Sequence, residues 1–213
     1  MQGASGEYEF TNRWFDLNER VWDDLISRLN PSRVLEVGSF EGRSTCYLID
    51  RIAANKSLAI HCVDTWEGGI EHKPGGGAVS DMGAVELRFL RNTELAISGA
   101  ARSVDLVVHK AKSDDTLARL IAAGEDEFDF IYIDGSHQAP DVLTDGILCF
   151  QLLKVGGVMV FDDYIWHEGL PGGVDPLRCP KIAIDSFTTI FSRKLRIVPA
   201  ASVYQIYVEK TSC

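Results

Sequence analysis

The sequence has no long apolar run, no cluster of basic residues and no paired-cysteine motif. A membrane-spanning helix needs about 20 consecutive apolar residues. No stretch approaches that length, so no membrane partner is expected. Lysine and arginine total 21 against 31 aspartates and glutamates, giving a net charge of −10. A nucleic acid would meet a repulsive surface, which disfavours it as a substrate. The five cysteines (Cys46, Cys62, Cys149, Cys179 and Cys213) form no C-x-x-C pair. Cys46, Cys62 and Cys149 sit in apolar segments and read as small core residues, which fits a reducing compartment. Met1 to Glu7 shows no basic region followed by an apolar run. No secretory signal is therefore expected, and the cytoplasm is the expected location.

The 213 residues are enough for one α/β domain with a real core. Apolar residues at Leu17, Val21, Leu25 and Leu29 predict an amphipathic helix over 15–29, stopped by Asn30-Pro31. Strands are predicted at 33–37, 58–64, 104–109, 128–134 and 158–163. Helices are predicted at 44–54, 85–97, 114–123 with Ser113 as its cap, 139–153 and 182–191. Gly156-Gly157 reads as a turn. Leu195–Val198 and Val203–Val208 read as a hairpin joined by Pro199 to Ser202. The stretches 65–78 and 166–176 are glycine-rich and aperiodic, and a loop as long as the first is either mobile or functional. Five alternating β-α units imply a parallel sheet with right-handed crossovers. The expected organisation is a helical leader over 1–32 and a single domain over 33–213.

The segment from Val34 to Ser44 reads as a strand, a tight loop and a helix start. Gly38 and Gly42 let the backbone bend and a ligand come close. The helix start offers free N–H groups. In an open α/β sheet this crevice takes a cofactor. The nicotinamide fingerprint G-x-G-x-x-G is not met, because the turn reads Gly38-Ser39-Phe40-Glu41-Gly42 and Glu41 would repel a pyrophosphate. S-adenosylmethionine (SAM) carries no phosphate, and its ammonium and sulfonium suit nearby acids. The loop resembles the first motif of class I SAM-dependent methyltransferases, E/D-x-G-x-x-x-G.

Four predicted strands end in acids: Glu36, Asp64, Asp134 and the doublet Asp162-Asp163. In a parallel sheet these ends share one edge, where the carboxylates repel and call for a positive partner. The ammonium and sulfonium of SAM supply part of that charge, and a divalent cation could supply the rest. Helix capping is the plainer alternative for any one acid, but it accounts poorly for the doublet. Asp64 is placed to accept ribose hydroxyls. Trp66 beside it could cover the adenosine or anchor the loop. Asp134 is an oxygen ligand of the type hard cations use. His137, three residues on, titrates near neutrality and could take a proton from a hydroxyl or serve as a structural donor.

Asp134-Gly135-Ser136-His137 followed by Phe161-Asp162-Asp163-Tyr164 is similar to a SAM-dependent methyltransferase family that includes metal-dependent sugar O-methyltransferases of antibiotic biosynthesis. The Val34–Ser44 loop, Cys62-Val63-Asp64-Thr65-Trp66 and Tyr204-Gln205-Ile206-Tyr207 match the same family. The resemblance implies a Rossmann-like class I fold. Its sheet is mostly parallel and seven-stranded, with an antiparallel last strand and helices on both faces. It implies Mg²⁺ on Asp134, Asp162 and Asp163, with His137 and Asp134 as the catalytic pair and His137 as base. Glu36 and Gly38 would face the methionine part of SAM, and Ser39, Phe40, Glu41 and Ser44 would also bind the cofactor. Asp64 would face the ribose, Lys112 and Ser113 would lie near the adenine, and Thr65, Trp66 and Asp134 would also bind the cofactor. The leader and loops are shorter than those of many sugar-modifying members. The acceptor is thus left as a small hydroxylated molecule of sugar or phenol type, and homo-oligomerisation is left open. The rivals are a metal-independent methyltransferase, a SAM-binding protein without transferase activity and a nicotinamide oxidoreductase.

Overall fold

A computed structural model describes residues 7–125, 127–200 and 202–213. Met1 to Gly6 of the leader, Asp126, and Ala201 in the expected hairpin turn lie outside the described residues. Seven strands form one sheet: β1 (Arg33–Val37), β2 (Leu58–Asp64), β3 (Val104–Lys110), β4 (Phe128–Ile133), β5 (Leu153–Phe161), β6 (Leu195–Val198) and β7 (Ile206–Lys210). Their order is β3-β2-β1-β4-β5-β7-β6. The first five run parallel, and β7 lies antiparallel between β5 and β6. Among the described residues the α-helices are α1 (Glu19–Leu29), α2 (Arg43–Ile52), α3 (Met82–Gly99), α4 (Ser113–Ala122), α5 (Ala139–Leu152) and α6 (Pro180–Ile190).

Strand alternation sends successive side chains to opposite faces, and each face carries its own apolar core. Val34, Ile60, Cys62, Phe130, Tyr132, Val160 and Tyr207 pack against α1, α2 and α3. Leu35, Val63, Ile131, Ile133, Met159, Phe161 and Val208 pack against α4, α5 and α6. Cys46, Cys62 and Cys149 are buried free thiols, as their apolar settings suggest. Among the described residues no helix is long and apolar enough to cross a membrane.

Three local readings are corrected. The first predicted helix is broken at Asn18: a 3-10 turn spans Trp14–Leu17 and α1 starts at Glu19. Leu17 is 87% exposed, and the buried stripe is Trp22, Leu25 and Ile26, spaced i, i+3, i+4. Trp22 sets that face because its large ring fills the space above Phe130 and Tyr132. Gly156-Gly157 is no turn but part of β5, opposite an irregularity in β4. A Cβ at Gly157 would press on the Asp129 carbonyl, so glycine there lets two strands come close. Ser113 is the first residue of α4 rather than its cap, and it stands near Asp145 on α5.

Asp145 is 2% exposed. Burial pushes its pKa up to about 7; Ser113 opposes the rise, and Asp141 and Asp114 add to it. Between about pH 4 and 7 the unfolded chain has released this proton and the folded chain retains it, so stability falls as pH rises through that window. Asp145→Asn copies the neutral form. The variant is expected to be more stable than wild type by roughly 2–4 kcal/mol at pH 8 and unchanged at pH 4, read by urea unfolding at both pH values.

Candidate active site

The strand order reverses between β1 and β4, and the crevice beyond their carboxyl ends is where open α/β sheets bind ligands. The loop after β1 enters it at Gly38. There φ is +85°, and any Cβ would collide with the Asp134 carbonyl after β4. The N–H of Gly38 bonds the Val63 carbonyl (2.8 Å), that of Asp134 the Val37 carbonyl (2.8 Å), and that of Asp162 the Ile133 carbonyl (3.0 Å). Pairing past the strand ends brings the acids together on one rim.

The rim acids differ in what holds them. Glu36 is fully buried and its carboxylate accepts from the hydroxyls of Ser39, Ser44 and Thr45. Burial pushes its pKa up, and those hydroxyls oppose the rise. Glu36 thus ties the loop to the start of α2 and presents no face to the crevice. Glu41 is buried too, bound by Arg88 Nε (2.6 Å) and by the N–H (2.7 Å) and hydroxyl (2.7 Å) of Thr11. Asp64 accepts from the N–H groups of Ser39 (2.9 Å), Phe40 (3.0 Å) and Trp66 (2.7 Å). A carboxylate offers about four acceptor positions, so Asp64 keeps capacity for a ligand. Trp66 is buried against Phe89 and donates to the Phe40 carbonyl (2.9 Å), and Thr65 Oγ1 accepts the Glu67 N–H (3.1 Å). Lys112 stands exposed at the head of α4, beside Ser113.

The structure brings Asp134, Asp163 and His137 together. One ligand atom of each lies within 4.8 Å of the other two. His137 Nε2 is 2.8 Å from Asp163 Oδ2, and its ring stacks on Trp166 with centroids 4.0 Å apart. Its Nδ1 is buried, lacks a hydrogen-bond partner and lies 3.6 Å from Glu71 Oε1. Burial would lower the His137 pKa, but Asp163 and Glu71 outweigh it and hold the imidazole up at about 10. In this arrangement His137 is a cation at neutral pH.

Asp162 faces inward. Its Oδ2 accepts from the Tyr132 hydroxyl and from Gln205 Nε2 (2.8 Å), and its Oδ1 from the Asp163 N–H (2.8 Å). Gln205 is fixed in turn by Trp22 Nε1 (2.9 Å) and the Tyr207 hydroxyl. Tyr132 also reaches Asp134 Oδ2 at 2.9 Å. One hydroxyl proton serves one carboxylate at a time, so the second contact is a hydrogen bond only when that carboxyl is protonated. Asp134 is exposed as a residue, but protein atoms crowd its carboxyl. Lost solvation first, then Asp162 and Asp163, push its pKa well up. Burial and Asp163 push Asp162 the same way.

Sequence reasoning did not single out Glu71, Tyr132 or Gln205. Glu71 had one signal, an acid inside a glycine-rich loop too long to be a plain connection. Tyr132 reads as one more apolar strand residue until its hydroxyl is seen between two acids.

Comparisons with known proteins fit this picture. No curated protein sequence matches the chain. Among solved structures it is similar to an O-methyltransferase from Bacillus cereus in complex with SAH (15% identity, 95% of this chain and 84% of that one, TM-score 0.64). It is also similar to cofactor-bound Rv0187 from MTB (19%, 97% and 85%, TM-score 0.64). A third is the O-methyltransferase TomG from Streptomyces achromogenes, involved in tomaymycin synthesis, in complex with SAM (17%, 94% and 82%, TM-score 0.63). At such identities the likeness is one of fold. A family model described as a methyltransferase domain matches residues 35–164, more than half of the chain, from β1 to just past Asp163. The chain belongs to that methyltransferase family and has the fold of the class I SAM-dependent enzymes.

Proposed function

We propose that the protein transfers a methyl group from SAM to a hydroxyl of a small acceptor of sugar or phenol type, assisted by a divalent cation. The observation that carries this reading is the meeting of Asp134, Asp163 and His137 at the rim of the crevice. SAM would lie along the loop from Gly38 to Gly42, with Asp64 toward the ribose and Lys112-Ser113 toward the adenine. Glu36, Ser44 and Glu41 would shape that loop from behind, since all three are buried and already bonded.

The donors suit a hard or borderline cation. Octahedral ligands about 2.1 Å from a metal stand roughly 3–4 Å apart, a little closer than the group's present spread. Two carboxylates completed by water suit Mn²⁺ as well as Mg²⁺, with His137 beside them as the base. Asp162 stands outside that group and already accepts three hydrogen bonds, so it supports Asp163 rather than binding directly. A bound cation would make the acceptor hydroxyl more acidic and orient it. His137 Nε2 accepts the hydroxyl proton once Asp163 no longer holds the imidazole in its charged form. Trp166 fixes the ring plane. A metal-independent transferase is favoured by one observation, that Asp162 stands apart from the group and is bonded within the protein.

Calorimetric titration with SAM and with MgCl₂, on wild type and Asp163→Asn, tests the reading. Asparagine tolerates the left-handed backbone at 163, where φ is +57°. Wild type is expected to bind both, and Asp163→Asn to keep SAM and lose Mg²⁺. No SAM binding by wild type sinks the whole reading; no Mg²⁺ binding by wild type sinks the cation, and Mg²⁺ binding unchanged in the variant sinks its place on Asp163. With SAM and an acceptor that wild type methylates, His137→Ala is expected to lower turnover about 10²–10⁴-fold, and unchanged turnover would remove His137 as the base.

A further inference from the structure

The loop between β2 and α3 is folded around one side chain. Glu71 sits on a 3-10 turn (Ile70–His72) and is only 8% exposed, an unusual burial for an acid on a surface loop. The loop's glycines are keyed to it. Gly69 has an ordinary backbone (φ −73°), yet a Cβ there would run into the Glu71 carboxylate. A Cβ at Gly76 would strike the Glu71 carbonyl, and that carbonyl accepts the Ala78 N–H at 2.9 Å.

This buried carboxylate has two histidines near it. His72 Nδ1 is 3.2 Å away but already accepts the Gly69 N–H (3.1 Å), so it has no proton to give. His137 Nδ1 is 3.6 Å away, buried and without a hydrogen-bond partner. A buried carboxylate therefore faces a buried ring nitrogen short of an acceptor. The rest of the His137 ring is fixed, by Asp163 on Nε2 and by the face of Trp166. A closure of about half an ångström completes the bond.

We infer that Glu71 is a positioning residue for His137: its carboxylate accepts a hydrogen bond from Nδ1–H, keeps the proton on that nitrogen and so reserves Nε2 for the acceptor hydroxyl. This rests on the reading of His137 as the base. Glu71 touches neither the reacting atoms nor a cation ligand; its contact at the site is His137. A carboxylate behind an imidazole fixes the tautomer and the ring orientation. The glycine-rich loop then supplies a working part of the site and is not merely its cover.

The test is the imidazole N–H spectrum of the metal-free, full-length protein labelled with ¹⁵N-histidine. Wild type is expected to show a slowly exchanging Nδ1–H that vanishes in His137→Ala. In Glu71→Gln and in Gly69→Ala, which displaces the carboxylate without straining the backbone, that proton is expected to exchange at least about tenfold faster, in line with the effect of outer partners on such sites. Unchanged exchange in both variants would overturn the inference. A second arm measures turnover of SAM with 3,4-dihydroxybenzoate. Glu71→Gln is expected to lower kcat about 10–100-fold at unchanged KM for SAM, and to cause no further loss in the His137→Ala background. Equal losses in both backgrounds would make Glu71 a loop support and overturn the inference. Failure of wild type to methylate any acceptor would end the O-methyltransfer reading while leaving the proton resonance to be read, so the two fail separately.

Discussion

Like charges gathered on one edge are the constraint to which the rest of this structure answers. A parallel sheet sends every strand's carboxyl end the same way, and here four of those ends are acids. Each additional carboxylate raises the cost of ionising its neighbours. The protein meets that cost separately at each position. Hydroxyls hold Glu36, backbone N–H groups hold Asp64, and an amide and a phenol hold Asp162. Asp134 and Asp163 are the least neutralised by fixed dipoles, and the imidazole of His137 stands beside them. The reactive centre is therefore the part of the rim whose charge the fold leaves to a guest and a titratable ring.

The backbone carries its share of this arrangement. Five described residues other than glycine have positive φ, and three of them, Phe40, Trp66 and Asp163, lie in loops at this rim. Residues held in that region cost about 1–3 kcal/mol each and persist where the surroundings over-determine them. Phe40 and Trp66 are bound by Asp64, and Asp163 by Asp162. The same carboxylates that crowd the rim thus hold its loops in shape. Behind them the chain Trp22–Gln205–Asp162 links α1 on one side to the end of β5. Substitutions in α1, which supplies no rim acid, would reach the site along that path.

Much of this was legible in the sequence because it depends on local patterns. Alternating strands and helices, acids after apolar runs, and glycines at 38 and 42 are all short-range signals, and they specified the sheet and the edge where the site lies. The acids themselves could not be sorted by sequence. Glu36 and Asp134 look alike as residues after strands. One is a buried anchor and the other stands at the rim beside His137 and Asp163, because Glu36 is met by three hydroxyls from the following turn. The doublet Asp162-Asp163 divides in the same way: the left-handed turn at 163 points one side chain inward and the other toward His137. Leu17 joined the predicted stripe by spacing alone, whereas the bulk of Trp22 chose the buried face. Partnerships such as Glu71 with His137 span 66 residues of chain, and no local pattern encodes them.

The division of the acids into structural and reactive sets is the central claim, and the position of a bound cation tests it most directly. Crystals of the wild-type protein grown with SAH and Mn²⁺ would show the metal by its anomalous scattering. The account predicts one peak within coordination distance of both Asp134 and Asp163, beside His137, with Tyr132 and Gln205 still bonded to Asp162. A peak centred on Asp162 or Glu36, or SAH bound with no peak at the rim, would contradict it.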